Sequence, residues 1–169
     1  MKTQDTAKAC FAAALRLLAR RDHSCSELSG KLAARGFPLD QIQWAVDQCL
    51  RYRYLDDERF AYGYVNQLQR KGYGCRRIEQ MLTAKGLEAW IIAACLEPCR
   101  RAGVQIRDCR KAMAKKLKGN PQGDGSAQTR AKLFRFLFNR GFPADVIRQV
   151  LEEGRWQNSG NASACEGDL

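Results

Sequence analysis

Three consecutive acids, Asp56, Asp57 and Glu58, are the residues of this chain whose types could most readily bind a metal ion or transfer protons. Successive helical residues point about 100° apart, so three acids in a row cannot converge on one ion. No His or Cys stands at a spacing that would complete such a site. A new apolar helical face begins at Phe60, which favours a helix start here. Asp56 would then be the N-cap, and the other two acids would face the positive end of the helix dipole.

Other catalytic signatures are missing from the sequence. It has no phosphate-binding GxxxxGK[ST] loop, no HExxH and no CxxC pair, and its single histidine, His23, is predicted to lie at a helix boundary beside Ser24. Cys95 and Cys99 could share a helical face, but a closed zinc site normally needs four ligands. Because the sequence shows no signal peptide, the eight cysteines are predicted to be reduced and mostly buried. We expect no catalytic residue, no metal and no cofactor, and hence no enzyme.

The positive charge of the chain is concentrated in one region. The net charge is +11, and residues 99–140 hold twelve Lys or Arg and two acids, a balance of +10 that leaves +1 for the remainder. Such a concentration is typical of a surface that contacts a polyanion or a strongly acidic protein. No apolar run reaches the roughly 18 residues of a membrane span, and the first ten residues do not resemble a signal peptide. We therefore expect a cytoplasmic protein without a membrane partner.

A repeat of about fifty residues runs through the sequence. A shift of 50 positions and a further shift of 55 align apolar and glycine positions of three copies, for example Gly36, Gly86 and Gly141. Within each copy the apolar residues follow helical spacing, and no stretch sustains the alternation of a strand. Ser24 and Glu27 form a candidate capping box, and the aligned glycines suit the left-handed position that ends a helix.

These patterns predict an all-α protein of three tandem three-helix repeats, forming an elongated, curved molecule. The predicted repeats cover residues 1–54, 55–102 and 103–154. A loop is inserted in the third repeat at about 118–126, and residues 155–169 form a disordered tail. Polar outer faces on the terminal repeats would suit a monomer.

Four segments in this order, ARRDHSCSELSGKLAARGF, YLDDERFAYGYV, RKGYGCRRIEQMLTAKG and KLFRFLFNRGFPADVI, resemble the RecX family of bacterial regulatory proteins. The resemblance covers about residues 9–153. The family motif L-D-D-x-R-F is matched from Leu55 to Phe60, and the motif K-G-Y/F-G is matched from Lys71 to Gly74. Cys75, which follows directly, is not required by the second motif. The residues that we assign to structural motifs are Asp56, Asp57, Phe60, Gly72, Gly74, Gly36, Gly86 and Gly141.

The resemblance implies a regulator that binds along the groove of the RecA recombinase filament on DNA. It would restrain filament growth, ATP hydrolysis, strand exchange and coprotease activity, and so modulate recombinational DNA repair and the SOS response. DNA would be contacted directly or within the filament. The remaining alternatives are a direct DNA-binding helical repeat protein and, third, an enzyme whose substrate no residue identifies.

Basic helix faces and Tyr–Arg segments supply the candidates for these contacts. A helix over about 104–118 would bury Ile106, Cys109 and Met113 and turn its lysines and arginine to solvent. Tyr52, Tyr62 and Tyr73 are the better candidates for exposure, and Tyr64 is predicted to face the core, but ordinary packing between repeats is favoured over exposure for each of the three candidates. A charged face could likewise be merely solvated. The candidates for contact with the recombinase or DNA are Arg59, Arg70, Lys71, Tyr73, Arg76, Arg77, Arg107, Lys111, Lys115, Lys118, Arg130, Lys132 and Arg135.

Overall fold

Nine α-helices and no strand form the described part of the computed structural model, residues 2–117 and 126–159, with side chains described for 6–117 and 126–153. The all-α prediction is confirmed. The helices are α1 (Lys2–Leu18), α2 (Cys25–Ala33), α3 (Leu39–Arg51), α4 (Asp57–Arg70), α5 (Cys75–Thr83), α6 (Ala89–Arg100), α7 (Ala102–Leu117), α8 (Ala127–Asn139) and α9 (Ala144–Ser159). We call α1–α3 the first repeat, α4–α6 the second and α7–α9 the third.

Two predicted segments fall largely outside this description. The inserted loop at 118–126 lies outside the described residues except for Ser126, which caps α8 by accepting a hydrogen bond from the backbone amide of Thr129. Lys118 also lies outside them. Helix α9 continues to Ser159, past residue 155 where the predicted disordered tail begins, and residues 160–169 are not described.

Contacts divide the chain into two compact units, whose boundaries pass through α4, α5 and α6. The first unit comprises Met1–Asn66 with Gln80–Cys95, and the second comprises Gln67–Glu79 with Leu96–Leu169. In the first unit, buried residues of α1, α2 and α3 form a core around Leu28, Leu32 and Cys49. In the second, α7, α8 and α9 bury a core around Leu137 and Phe142. Each core follows the helical spacing of its apolar residues.

Within the first unit, the start of α2 lies against the turn between α5 and α6, a contact that we call the first joint. Ser24 caps α2 by accepting a bond from the Glu27 amide at 3.1 Å, and its hydroxyl donates to the Lys85 carbonyl oxygen at 2.6 Å. Gly86 adopts φ +69°, and a Cβ there would lie 2.4 Å from the Ser26 Oγ. Glycine at 86 therefore permits both the left-handed turn and the close approach of α2.

The second joint, within the second unit, repeats this contact at the start of α5 and the turn between α8 and α9. The Gly74 amide donates to the Arg140 carbonyl oxygen at 2.7 Å, and the Arg76 amide donates to that of Gly141 at 3.3 Å. Residues 74 and 140 are the repeat equivalents of 24 and 85. A Cβ on Gly74 would lie 2.6 Å from the carbonyl carbon and oxygen of Gly141. Backbone therefore meets backbone at this joint.

Glu27 forms ion pairs with two basic side chains at the first joint. Its carboxylate accepts hydrogen bonds from Lys85 Nζ at 2.6 Å and Arg21 Nη2 at 3.2 Å, in place of the reciprocal bond expected for a capping box. Burial acts to raise the pKa of Glu27, but the bonds and charges of Arg21 and Lys85 outweigh it and lower that pKa to about 2. Ionised Glu27 therefore stabilises the folded state.

Because of the Glu27 carboxylate, the free energy of unfolding should decrease as the pH falls in the acid range. In the unfolded chain a glutamate has a pKa of about 4.3. The stabilisation from Glu27 is present above that value and is lost as the pH falls through it toward about 2. In denaturant titrations across this window, we expect the wild type to lose about 2 kcal/mol more unfolding free energy than Glu27→Gln. Identical pH profiles for the two proteins would contradict this assignment.

Substitution of Gly74 should disrupt the second joint by steric contact alone. Gly74→Ala would force two backbones apart, so we expect a loss of about 1 to 3 kcal/mol in unfolding free energy. Gly30→Ala is the matched control, because a Cβ at this exposed α2 position meets nothing within 4 Å. Its higher helix propensity should raise stability by up to about 1 kcal/mol. Equal effects of the two changes on denaturation would argue against the close approach.

Candidate protein and nucleic-acid interface

The three consecutive acids organise the start of α4. Asp56 Oδ1 accepts a hydrogen bond from the Arg59 amide at 2.9 Å, which confirms the predicted N-cap. Asp57 does more than face the helix dipole, because its Oδ1 accepts a bond from the Cys25 amide at 2.8 Å and ties the start of α4 to the start of α2. Glu58 is exposed, whereas Phe60 is buried and stacks on Tyr64. Within the described residues, no three His, Cys, Asp or Glu side chains are grouped to hold a metal ion.

Loss of the cap should weaken the fold without removing a binding group. For Asp56→Ala we expect a decrease of about 0.5 to 2 kcal/mol in unfolding free energy, because the Arg59 amide loses its acceptor. Chemical denaturation measures the decrease, and regulatory activity below the transition should be retained. A fully stable but inactive variant would return the acidic stretch to the list of functional candidates.

Buried thiols and one buried imidazole account for the remaining candidate reactive groups. Six cysteines are buried, Cys25 is partly buried, and all seven described cysteines are free thiols, as predicted. Burial, assisted by Asp57, raises the pKa of Cys25 to about 12, and burial raises that of Cys109 to about 11. Burial also lowers the pKa of His23, whose Nδ1 lies 3.7 Å from Glu27 Oε2. Thiols whose pKa is raised in this way, as for Cys25 and Cys109, are poor nucleophiles near neutral pH because little thiolate forms.

Helix α7 presents a basic face opposite its core residues. Arg107, Lys111 and Lys115 are spaced four residues apart and are all exposed. On the opposite side Cys109 is buried, and Met113 packs against the core of the second unit. The helix thus has the two faces that the sequence predicts.

The basic residues of α7 differ in the contacts that they make within the protein. Lys115 Nζ donates to the carbonyl oxygen of Arg70 and so caps the end of α4. Arg107 Nε lies 3.1 Å from Asp108 Oδ1. Lys111 carries its charge on an exposed position of the same face. Lys115 is therefore structural as well as exposed, which helical spacing could not reveal.

Arg140 and Tyr73 form part of the second joint. The Arg140 guanidinium lies 4.7 Å from the centre of the Tyr73 ring and 5.0 Å from that of Phe136, and its Nη1 donates to the Lys71 carbonyl oxygen at 2.7 Å. Tyr73 is half-buried, so packing between repeats, and not exposure, describes this side chain. The cause is a guanidinium that reaches it from 67 residues away along the chain.

The K-G-Y-G motif brings predicted residues of the second and third repeats together. A Cβ on Gly72, at φ +83°, would lie 3.4 Å from Ala112 Cβ of α7. Arg70 and Lys71, whose carbonyls bind Lys115 and Arg140, have exposed side chains, as do Arg76 and Arg77 at the start of α5. On α8, Lys132 and Arg135 are exposed and Arg130 is half-buried. Arg59 belongs to the first unit and is not part of this group.

An aromatic cluster in the first unit goes beyond the prediction. Tyr52 and Tyr62, two of the candidates for exposure, are exposed, and so is Tyr54. The Phe11 ring lies 6.1 Å from that of Trp44 and 6.4 Å from that of Tyr52, which in turn lies 6.0 Å from that of Tyr54. Tyr54 lies beyond the end of α3 at Arg51, so helical spacing does not turn its side chain toward the core.

None of the helices within the described residues is long and apolar enough to cross a membrane. Repeated three-helix units define an all-α helical repeat protein. Family models for the first, second and third three-helix domains of RecX match residues 10–49, 56–96 and 105–151. The chain belongs to the RecX family of regulatory proteins, and the prediction of three tandem three-helix repeats is confirmed.

Individual relatives agree with this family. The regulatory protein RecX of Legionella pneumophila is 38% identical over 143 residues, 85% of this chain and 93% of the relative. That of Vibrio campbellii is 39% identical over 139 residues, 82% of this chain and 87% of the relative. The crystal structure of RecX from Lactobacillus salivarius matches with a TM-score of 0.75 at 20% identity, over 90% of this chain and 99% of that one. At 20% identity, the match to the Lactobacillus salivarius structure shows similarity of fold alone. Family and fold suggest a non-enzymatic regulator.

Proposed function

We propose that this chain is a non-enzymatic regulator that binds the filament formed by the RecA recombinase on DNA. It inhibits the ATPase, strand-exchange and coprotease activities of that filament, and so modulates recombinational repair and the SOS response in the cytoplasm. Membership of the RecX family supports this role. The observation that carries it is the group of basic residues of the second and third repeats around the second joint.

A nucleoprotein filament offers two kinds of partner for such a surface. Its DNA presents a regular line of phosphates, and a basic protein that contacts them gains affinity from the release of counterions. Carboxylates of the recombinase would attract the same side chains and would add specificity for the filament over bare DNA. Arg76, Lys111 and Arg135 are exposed residues of α5, α7 and α8, and all three belong to the second unit. The spacing of these charges is therefore held by the fold.

Direct binding to DNA is the second candidate function, and it is favoured by the same concentration of charge, +10 within residues 99–140. The two functions differ in their dependence on salt. An electrostatic duplex binder should lose about 0.9 units of log K per unit of log salt for each phosphate contacted. A filament regulator should keep its preference for the recombinase filament as salt rises.

Competition between filament and bare DNA tests the proposal. We expect labelled protein to stay on RecA filaments at moderate salt when bare single-stranded DNA is added in excess. Lys111→Glu should fold as the wild type does, because this side chain is exposed, and should bind the filament about tenfold less tightly. Lys8→Glu, the same change at an exposed position of α1, is the matched control and should bind normally.

Two results would overturn the proposal. Equal competition by bare DNA at moderate salt would favour the DNA-binding function. Equal weakening by Lys8→Glu and Lys111→Glu would mean that total charge, and not the face of α7, determines binding. Lys115→Glu is unsuitable for this comparison, because it would place a carboxylate beside the Arg70 carbonyl oxygen and lower stability.

A further inference from the structure

Helix α8 carries an exposed aromatic ring among positive charges. Half of the Phe138 surface is accessible to solvent, and its ring lies nearly parallel to that of Phe134, with centroids 6.1 Å apart and planes 12° apart. Phe134 packs against the core of the second unit. The inner ring is therefore anchored, and it presents the outer ring to solvent in a stacked pair.

The surroundings of this ring are basic and open. Arg130, Lys132 and Arg135 are the charged residues of α8, which contains no carboxylate. Arg135 precedes Phe138 by three residues, so the two share one side of the helix. Ala131, seven residues before Phe138 and exposed, continues that side with a small side chain. A flat ligand with attached negative charges would meet an aromatic surface and a guanidinium together.

The position of Phe138 is not explained by the repeat itself. The equivalent residues in the second and first repeats are Thr83 and Ala33, which are exposed and lack an aromatic group. Helix packing at this position therefore does not require a large apolar side chain. The aromatic side chain is particular to the repeat that carries the excess of positive charge.

We propose that Phe138 is a stacking site for a base of single-stranded nucleic acid, with Arg135 contacting an adjacent phosphate. Base stacking on an aromatic ring requires an exposed base face, which a single strand offers and a duplex hides. An acidic protein surface would also use the charges, but its contact with the ring would not depend on the bases of a nucleic acid. The inference deepens the proposed function by assigning α8 to the DNA strand, and it can be tested without recombinase.

Binding of two oligonucleotides by fluorescence anisotropy separates stacking from charge. One is oligo(dT), and the other is an abasic strand of equal length with the same phosphates. Phe138→Leu keeps an apolar side chain and removes the aromatic face, so it should fold, as circular dichroism and thermal melting can verify. We expect it to bind oligo(dT) about 5- to 100-fold less tightly and the abasic strand as the wild type does.

Salt dependence supplies a second signature. Phe138→Leu should leave the slope of log K against log salt unchanged, whereas Arg135→Gln should reduce it by about 0.7 for a single strand. Trp90→Ala is the matched control, since this side chain is 59% exposed on α6 and lies outside the basic region. It should bind both oligonucleotides normally.

Three outcomes would overturn the inference. Wild-type affinity of Phe138→Leu for oligo(dT) would exclude stacking, and equal losses on oligo(dT) and the abasic strand would make the ring structural. Normal DNA binding with lost inhibition of the recombinase would assign Phe138 to a protein contact and leave the proposed function intact. Failure of the wild type itself to inhibit recombinase, with oligo(dT) binding as expected, would contradict the proposed function but not the stacking site.

Discussion

The contact on which the structure depends is the joint between a helix start and the turn of the following repeat. At the second joint two backbones approach so closely that glycine is required at positions 74 and 141, and carbonyl oxygens at the turn accept amide protons from the start of α5. The first joint uses a serine hydroxyl in place of the Gly74 amide. Direct pairing of backbone groups sets the distance between elements more strictly than side-chain packing does, because neither partner can adopt another rotamer.

Local sequence chemistry predicted the elements well. Helical spacing, the glycines that end helices at positive φ, and the Asp56 cap are all determined within a few residues, and the structure agrees with each. The missed features join residues distant in the chain. Asp57 binds an amide 32 residues away, Lys115 binds a carbonyl 45 residues away, and Arg140 covers Tyr73. Their partners become neighbours only once the repeats pack, so no local pattern could identify them.

The same long-range contacts divide the basic residues by role. Lys115 and Arg140 donate hydrogen bonds to the carbonyl oxygens of Arg70 and Lys71 at the end of α4, and Arg140 also belongs to the second joint. Lys111, Lys132 and Arg135 are exposed on α7 and α8. Composition alone treats them as one excess of charge. A partner surface would meet the second set directly and would depend on the first set through the fold. Binding through the exposed set would therefore depend on the integrity of the second joint.

The central claim is that this chain acts on a recombinase filament and not merely on DNA. The most direct measurement is the DNA-dependent ATPase rate of the RecA recombinase on single-stranded DNA, with this protein added first below and then at equimolar amounts. If the chain acts on the filament, inhibition is expected at amounts well below the equimolar ratio. An unchanged ATPase rate at every ratio, with binding to single-stranded DNA intact, would contradict it.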